Sequence, residues 1–156
     1  MNEVVTPIEW DEYFLRFADL ARIKSKDPSS TIGAVIVGPD HEVISSGYNG
    51  FPRGVADLKE RWEKPAKYEY VVHAEHNAIL NAARLGHALK GSTLYLVGFG
   101  PPTAPCIGCA KAIIQSGIIR VVGKPYKEVP GNWMDSLKSS MTIMKEAGVE
   151  FIEWPM

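Results

Sequence analysis

The chain has 156 residues, of which 46% are hydrophobic and 22% charged, and its formal net charge is −1. This length suits one domain with a substantial core, so we expect residues 1–156 to form a single domain. The near-neutral charge lacks the basic excess of proteins that follow a nucleic-acid backbone, and it favours a small-molecule ligand. No apolar run approaches the ~18 residues of a membrane span, the acidic start argues against a signal peptide, and two cysteines fit a reducing compartment. We therefore expect a cytoplasmic protein without a membrane partner.

The first predicted element is a helix that ends before Asp27-Pro28. Its apolar side chains recur at helical spacing, and we expect this stripe to be buried in the core: Trp10, Tyr13, Phe14, Phe17, Leu20 and Ala21. Two strands follow as a hairpin, over residues 31–38 and 42–47. The next stretch is irregular, and we expect its polar part, residues 57–67, to lie on the surface. Within it, Asn49 fits a functional position and a plain turn residue equally well.

Helices and strands alternate through the rest of the chain. We predict helices over residues 74–85, over 105–116 and from Asn132 to Gly148, with Asn132 as the cap of the last one. The intervening strands are predicted over residues 92–97, 118–122 and 149–154. Two strands followed by alternating helices and strands predict an α/β fold, with three layers in the order α/β/α around one five-stranded sheet.

Two short motifs carry the chemistry of the sequence: His73-Ala74-Glu75, and Pro105-Cys106-Ile107-Gly108-Cys109. Zinc prefers four tetrahedral ligands, and a catalytic zinc keeps one position open for water. His73, Cys106 and Cys109 supply three ligands. Proline suits the first turn of a helix, and the positive end of that helix favours thiolates over thiols. We therefore predict one catalytic zinc ion per subunit, held between two helix starts that face each other.

Glu75 belongs to the first motif and lies near the start of a predicted helix. It shares a helix face with Ala78 and Ala82, so it points inward, and a buried carboxylate needs a partner such as water at the open metal position. This predicts that Glu75 is the catalytic acid and base. His76 is an alternative metal ligand, but two cysteines already complete the set.

The paired motifs form the His-x-Glu and Pro-Cys-x-x-Cys signature of zinc-dependent nucleobase deaminases. Over most of its length the chain resembles the deoxycytidylate (dCMP) deaminases of the cytidine deaminase superfamily. The segments that carry this resemblance are residues 25–28, 32–37, 47–50, 73–80, 106–111 and 114–118. It implies a cytidine deaminase-like fold with a mixed sheet, and hydrolytic deamination of a cytosine nucleotide. The expected reaction converts dCMP to dUMP and ammonia.

The resemblance also implies binding roles. Asn49 would contact the sugar, and the backbone around Ala74 and Pro105 would read the pyrimidine edge. A homo-oligomer is implied, with a hexamer expected, together with regulation by dCTP and dTTP with Mg²⁺. Lys26 and Tyr126, with Lys127 beside it, lie on predicted loops where a phosphate can be bound, and each also fits a solvated surface position.

Three alternatives stay open from the sequence. A Cys-x-x-Cys pair alone fits a redox couple or half of a structural zinc site, but a redox couple leaves His73 and Glu75 without a role. A tRNA or DNA base deaminase uses the same zinc chemistry, although it requires a basic strip. A non-catalytic zinc module predicts no ammonia release. The chain departs from the family pattern in a longer link over residues 98–104 and in a histidine at position 76.

Overall fold

The computed structural model describes residues 7–99, 104–123 and 131–155. Its helices are α1 (Trp10–Arg22), α2 (Lys67–Tyr70), α3 (Ala74–Leu85), α4 (Ile107–Ser116) and α5 (Asn132–Glu146), and a short 3₁₀ turn covers Lys59–Trp62. Its strands are β1 (Thr31–Val37), β2 (Val43–Tyr48), β3 (Thr93–Phe99), β4 (Arg120–Gly123) and β5 (Glu150–Glu153). No helix among the described residues has the length and apolar character to span a bilayer.

The five strands form one sheet in the order β2-β1-β3-β4-β5. Strand β1 is antiparallel to both β2 and β3, whereas β3, β4 and β5 run parallel, so the sheet is mixed. Antiparallel neighbours need only a tight turn, but each parallel neighbour needs a crossover, which α4 and α5 supply. The predicted α/β fold with a five-stranded mixed sheet is confirmed.

Apolar side chains alternate between the two faces of the sheet and build a separate core on each. In β1, Ala34 and Ile36 pack under α3 and α4, together with Ala78 and Ile113 from those helices. The intervening Val35 and Val37 pack on the other face with Phe14, Leu15 and Ala18 of α1. The sheet is therefore the middle of the three predicted layers.

The expectation that the whole apolar stripe of α1 is buried is wrong. Only Phe14, Leu15 and Ala18 are buried, whereas four apolar side chains of the predicted stripe are more than one-third exposed: Trp10, Tyr13, Phe17 and Leu20. The physical reason is that periodicity reports which face of a helix is apolar, while the sheet covers only the centre of that face. Helix α1 thus carries an exposed apolar side.

Glycine lets β2 lie against the helix that begins at the candidate site. A Cβ atom on Gly47 would come within 3.0 Å of backbone atoms of Ala74 and Ala78 in α3. The Ser45 hydroxyl, two residues earlier in β2, donates to the Ala78 carbonyl oxygen at 2.8 Å. These contacts fix the height and angle at which α3 starts.

Helix ends agree with their predicted signals in most places. Helix α3 covers the predicted residues, and Gly86 and Gly117 adopt the left-handed conformation just after α3 and α4. Helix α5 differs, because Gly131 is its N-cap and Asn132 is its first helical residue. The expectation of a surface segment over residues 57–67 is also wrong in part: Trp62 is buried against Phe51, and Lys67 is buried.

Candidate metal centre and its cavity

Two helix starts face each other, as the motifs predict. His73 is the N-cap of α3, and its extended backbone leaves the imidazole beside the first turn of that helix. Cys106 is the N-cap of α4, and its sulfur accepts a hydrogen bond from the backbone N–H of Cys109 at 3.5 Å. Both sulfurs therefore lie where unpaired amide groups and the helix dipole favour negative charge.

The three predicted donor atoms converge. Nδ1 of His73 lies 3.4 Å from Sγ of Cys106 and 3.4 Å from Sγ of Cys109, and all three donor atoms lie within 4.8 Å of one another. Tetrahedral zinc with ordinary Zn–N and Zn–S bonds separates such atoms by about 3.5 Å. This donor set fits a zinc ion with a fourth position left for water. A C-x-x-C redox couple has no need of the third donor.

Charge in the cluster is shared between the sulfurs and the imidazole. The hydrogen bond from Cys109, with the help of His73, lowers the pKa of Cys106 to about 3. The same sulfur–sulfur contact and burial raise the pKa of Cys109. The contact with Cys106 raises the pKa of His73 to about 9. Thiolate and imidazolium compensate each other here, and a dipositive ion would replace the protons that these groups share.

His76 also approaches this cluster. Its Nδ1 atom is 3.8 Å from the sulfur of Cys109, and it is not part of the converging His73, Cys106 and Cys109 group. The geometry therefore gives His76 a contact with a predicted ligand sulfur and leaves it outside the convergent donor group.

Glu75 is buried beside the cluster. Its side chain comes from the first turn of α3, is 5% exposed, and lines the same cavity as His73 and Cys106. Burial raises the pKa of its carboxyl group, although the neighbouring His73 opposes this effect. A carboxyl group with a raised pKa takes up a proton more readily than an ordinary carboxylate does.

The cavity in front of these residues has a volume of about 370 Å³. That volume falls within the range of small-molecule sites. Its wall combines apolar and polar side chains from several segments, among them Ile32, Asn49, Val71, Ala104, Trp133 and Leu137. The site is therefore a partly open pocket of a size for a small polar molecule, with His73 and Cys106 in its wall.

Asn49 lines this cavity and is held by three protein contacts. Its Oδ1 atom accepts from the backbone N–H of Ile32 at 2.8 Å. Its Nδ2 group donates to Asp27 at 3.1 Å and to the Ser30 carbonyl oxygen at 2.9 Å. Both amide hydrogens are thus engaged, and the side chain can offer a ligand only the second lone pair of its oxygen.

The structure also brings two residues to the cavity that the motifs did not indicate. Lys67 and Asp27 form a buried ion pair, with 2.6 Å between Nζ and Oδ2, and both line the cavity wall. Asp27 lies in one of the segments that carry the family resemblance, which is a weak signal. Lys67 lies in a polar stretch without periodicity, and nothing local predicts its burial.

Of the remaining predicted binding residues, some lie at the cavity and others do not. Ala74 lines the cavity, and Pro105 is buried between Ala104 of the lining and Cys106. Lys26 is exposed, is bound to Asp57 at 2.5 Å and is absent from the described cavity lining, which agrees with the solvated alternative. Tyr126 and Lys127 lie outside the described residues, as does most of the link over residues 98–104.

Comparison with known proteins identifies a family whose members are similar to this chain. A profile of the cytidine and deoxycytidylate deaminase zinc-binding region matches residues 8–124. The deoxycytidylate deaminase of Mus musculus is 43% identical over 152 residues, which cover 92% of this chain and 79% of the mouse protein. The Homo sapiens deoxycytidylate deaminase is 42% identical over 150 residues, with the same coverage of both chains.

A solved structure shares the fold. The crystal structure of dCMP deaminase from the cyanophage S-TIM5 in complex with dCMP and dUMP aligns with a TM-score of 0.71 at 23% identity. The alignment covers 96% of this chain and 100% of the phage chain. This likeness supports the architecture of helices around the five-stranded sheet.

Proposed function

We propose that this chain, which belongs to the cytidine and deoxycytidylate deaminase family, hydrolyses dCMP to dUMP and ammonia. One observation carries the proposal: the buried Glu75 carboxyl shares a cavity wall with His73 and Cys106, two members of the convergent His73, Cys106 and Cys109 donor set. That combination supplies both an acid–base group and a metal with an open position. A non-catalytic zinc module has no use for a carboxyl group buried beside its metal.

His73, Cys106 and Cys109 would hold the zinc ion. When bound, zinc lowers the pKa of water at its open coordination position and so supplies a nucleophile near neutral pH.

Glu75 would carry the protons of the reaction. Its carboxylate takes a proton from the attacking water and gives it to N3 of the pyrimidine, which makes C4 electrophilic. After the C4–O bond forms, the carboxylate takes the remaining hydroxyl proton and delivers it to the 4-amino group. The C4–N bond then breaks, ammonia leaves, and the product keeps a C4 carbonyl and a protonated N3. Burial supports both halves of this task because it raises the pKa of the carboxyl.

The substrate contacts follow the shape of the cavity. The backbone at Ala74 and Pro105, at the two helix starts, would bind the pyrimidine edge, and the second lone pair of the Asn49 oxygen would accept from a sugar hydroxyl. The Asn49 assignment is supported by its place in the cavity wall, and its contacts restrict it to an acceptor role because both of its amide hydrogens are occupied. Tyr126 stays a candidate for phosphate binding.

We extend the proposal to the assembly and setting of the protein. A homo-oligomer, with a hexamer as the favoured form, is supported by the exposed apolar side of α1, since large unpartnered apolar surfaces mark contact sites. The proposal also includes binding of dCTP and dTTP with Mg²⁺ as effectors. We further propose that residues 1–156 form a single domain and that the protein is cytoplasmic. Size measurements with and without each nucleotide test the assembly.

Ammonia release tests the function. The zinc-loaded protein is assayed with dCMP, CMP, deoxycytidine, dCTP, 5-substituted dCMP, single-stranded DNA and a transfer RNA. We expect dCMP to give the highest kcat/KM and dUMP as the product. No release from any cytosine derivative, or release only from a nucleic acid, would overturn the proposal.

A further inference from the structure

The buried ion pair between Lys67 and Asp27 is not used by the proton chemistry. The side chain of Lys67 is 8% exposed and that of Asp27 is 0% exposed, and they meet at 2.6 Å in the cavity wall. Burying two charges costs free energy that their attraction often fails to recover, so such a pair is weak evidence for a stabilising role. Its position in the wall of a ligand cavity calls for another reason.

The ammonium group of Lys67 has bonding capacity left. Of its three N–H donors, one meets Asp27 and one donates to the Ser29 hydroxyl at 2.8 Å. No third partner occurs among the described residues, and Lys67 lines the cavity. A buried lysine keeps its charge most readily when each donor is engaged. The third N–H is therefore positioned for an acceptor on a molecule in the cavity.

Asp27 holds this ammonium group in place. Its Oδ1 atom accepts from the backbone N–H and the hydroxyl of Ser29, each at 2.9 Å, and its Oδ2 atom accepts from Asn49 at 3.1 Å. Burial raises the pKa of this carboxyl, but the hydrogen bonds from Lys67 and Ser29 outweigh burial, and the pKa stays below its ordinary value. Asp27 is thus ionised at neutral pH and fixes both Lys67 and Asn49.

Two lysines line the part of the wall that holds the ion pair. Lys64 and Lys67 both line the cavity with Asp27, whereas the other carboxyl group of the lining, Glu75, is the one beside the metal donors. Charge-assisted hydrogen bonds from ammonium groups are the strong contacts to phosphate oxygens. Lys26, by contrast, forms an ion pair with Asp57 and is absent from this lining.

We infer that Lys67 binds the 5′-phosphate of the nucleotide, with Asp27 as its positioning residue, and that this contact selects nucleotides over nucleosides. The inference rests on the proposed function, since the phosphate belongs to the dCMP proposed above. It places the phosphate-binding group in α2, in a segment where the sequence predicts only surface.

The test compares dCMP with deoxycytidine in the same protein samples. Lys67→Gln removes the charge, and we expect kcat/KM for dCMP to fall by about 10- to 100-fold while the value for deoxycytidine changes little. Because both substrates meet the same folded fraction, their ratio is insensitive to a loss of stability. Lys67→Arg should recover part of the preference, and Lys26→Met should leave the ratio unchanged. An equal fall for both substrates in Lys67→Gln would assign Lys67 a structural role and overturn the inference.

Two further measurements keep the inference testable if Lys67→Gln does not fold. The double variant Asp27→Asn with Lys67→Gln leaves no unpaired buried charge, and calorimetry should show that dUMP loses more affinity than deoxyuridine, whose sugar also meets the altered Asn49 contact. Equal losses for the two ligands would overturn the inference. In the unaltered protein, equal kcat/KM values for dCMP and deoxycytidine would also overturn it. An unaltered protein that deaminates neither compound refutes the proposed function instead, so the two failures are distinguishable.

Discussion

Nδ1 of His73 lies 3.4 Å from Sγ of Cys109, although the two residues are 36 positions apart in the chain. The contact exists because α3 and α4 begin at the same place on one side of the sheet. Neither helix start alone offers three donors. The metal site is thus a product of tertiary structure.

Substitutions at His73 and His76 should show which of the two histidines binds the metal. We expect His73→Ala to lose bound zinc together with activity, because only two sulfur donors remain. His76→Leu serves as the matched control on the same helix and should retain one zinc per subunit. Metal content of the purified variants is measured by mass spectrometry. Zinc retained in His73→Ala but lost in His76→Leu would reverse the ligand assignment.

Glu75→Gln should leave the metal bound and remove most of the activity. The amide has nearly the same size, but it cannot take a proton from water, and general acid–base catalysis contributes typically 10²- to 10⁴-fold. Initial rates of ammonia release are measured alongside zinc content. Glu69→Gln, an exposed change in α2, is the control and should behave as the unaltered protein. A fully active Glu75→Gln variant with zinc bound contradicts the proton route.

The ion pair of Asp11 with Arg120 should make the free energy of unfolding depend on pH in the acidic range. Two guanidinium nitrogens donate to Asp11 at 2.8 and 2.6 Å. The hydrogen bonds from Arg120 lower the pKa of Asp11 from 3.8 despite partial burial. The folded-state pKa lies below the unfolded one, so this stabilisation is present above about pH 4 and disappears as the pH falls through the folded-state value.

Asp11→Asn measures that contribution. We expect the free energy of unfolding to fall by about 1–3 kcal/mol at pH 7 and to vary less below pH 4 than in the unaltered protein. Urea titrations at pH 7 and pH 3 check both. The neighbouring Glu12→Gln disrupts an exposed pair with Arg16 and should change stability little. Identical losses at pH 7 and pH 3 would show that the charge of Asp11 is irrelevant.

Gly47→Ala should disturb the site without touching it. The added methyl group meets the backbone of Ala74 and Ala78, which cannot turn aside as a flexible side chain can. We expect a stability loss of roughly 1–3 kcal/mol and weaker zinc binding, because α3 carries His73. The control is Ala83→Gly on the exposed face of α3, which should leave zinc binding unchanged. Gly54→Ala is unsuitable as a control because the φ angle of Gly54 is 82°, which strains any other residue. An unaltered zinc affinity in Gly47→Ala would show that α3 tolerates the shift.

Much of the fold and the metal donor set is predictable from the sequence because their signals are local. Gly86 and Gly117 mark helix ends, and the donor types at 73, 106 and 109 specify a metal by chemistry alone. The burial of Lys67 is different. It depends on Asp27, which lies 40 positions earlier, and no periodicity in the polar segment reports that partner.

The exposed side of α1 shows a second limit. Tyr13 and Phe14 are adjacent aromatic residues in one predicted stripe, yet only Phe14 reaches the sheet. A hydrophobic pattern states which side chains favour burial. Whether a neighbouring element covers them depends on the width of that element, which the pattern does not contain.

In the sequence, His73 precedes β3 and the two cysteines follow it, which has a consequence for folding during synthesis. His73 leaves the ribosome before Cys109, and the 36 positions between them include β3. A zinc ion held by all three ligands closes that stretch into a ring and adds its binding energy to folding. A site with all three ligands therefore requires the chain to be made at least as far as Cys109, by which point β1, β2 and β3 are already present.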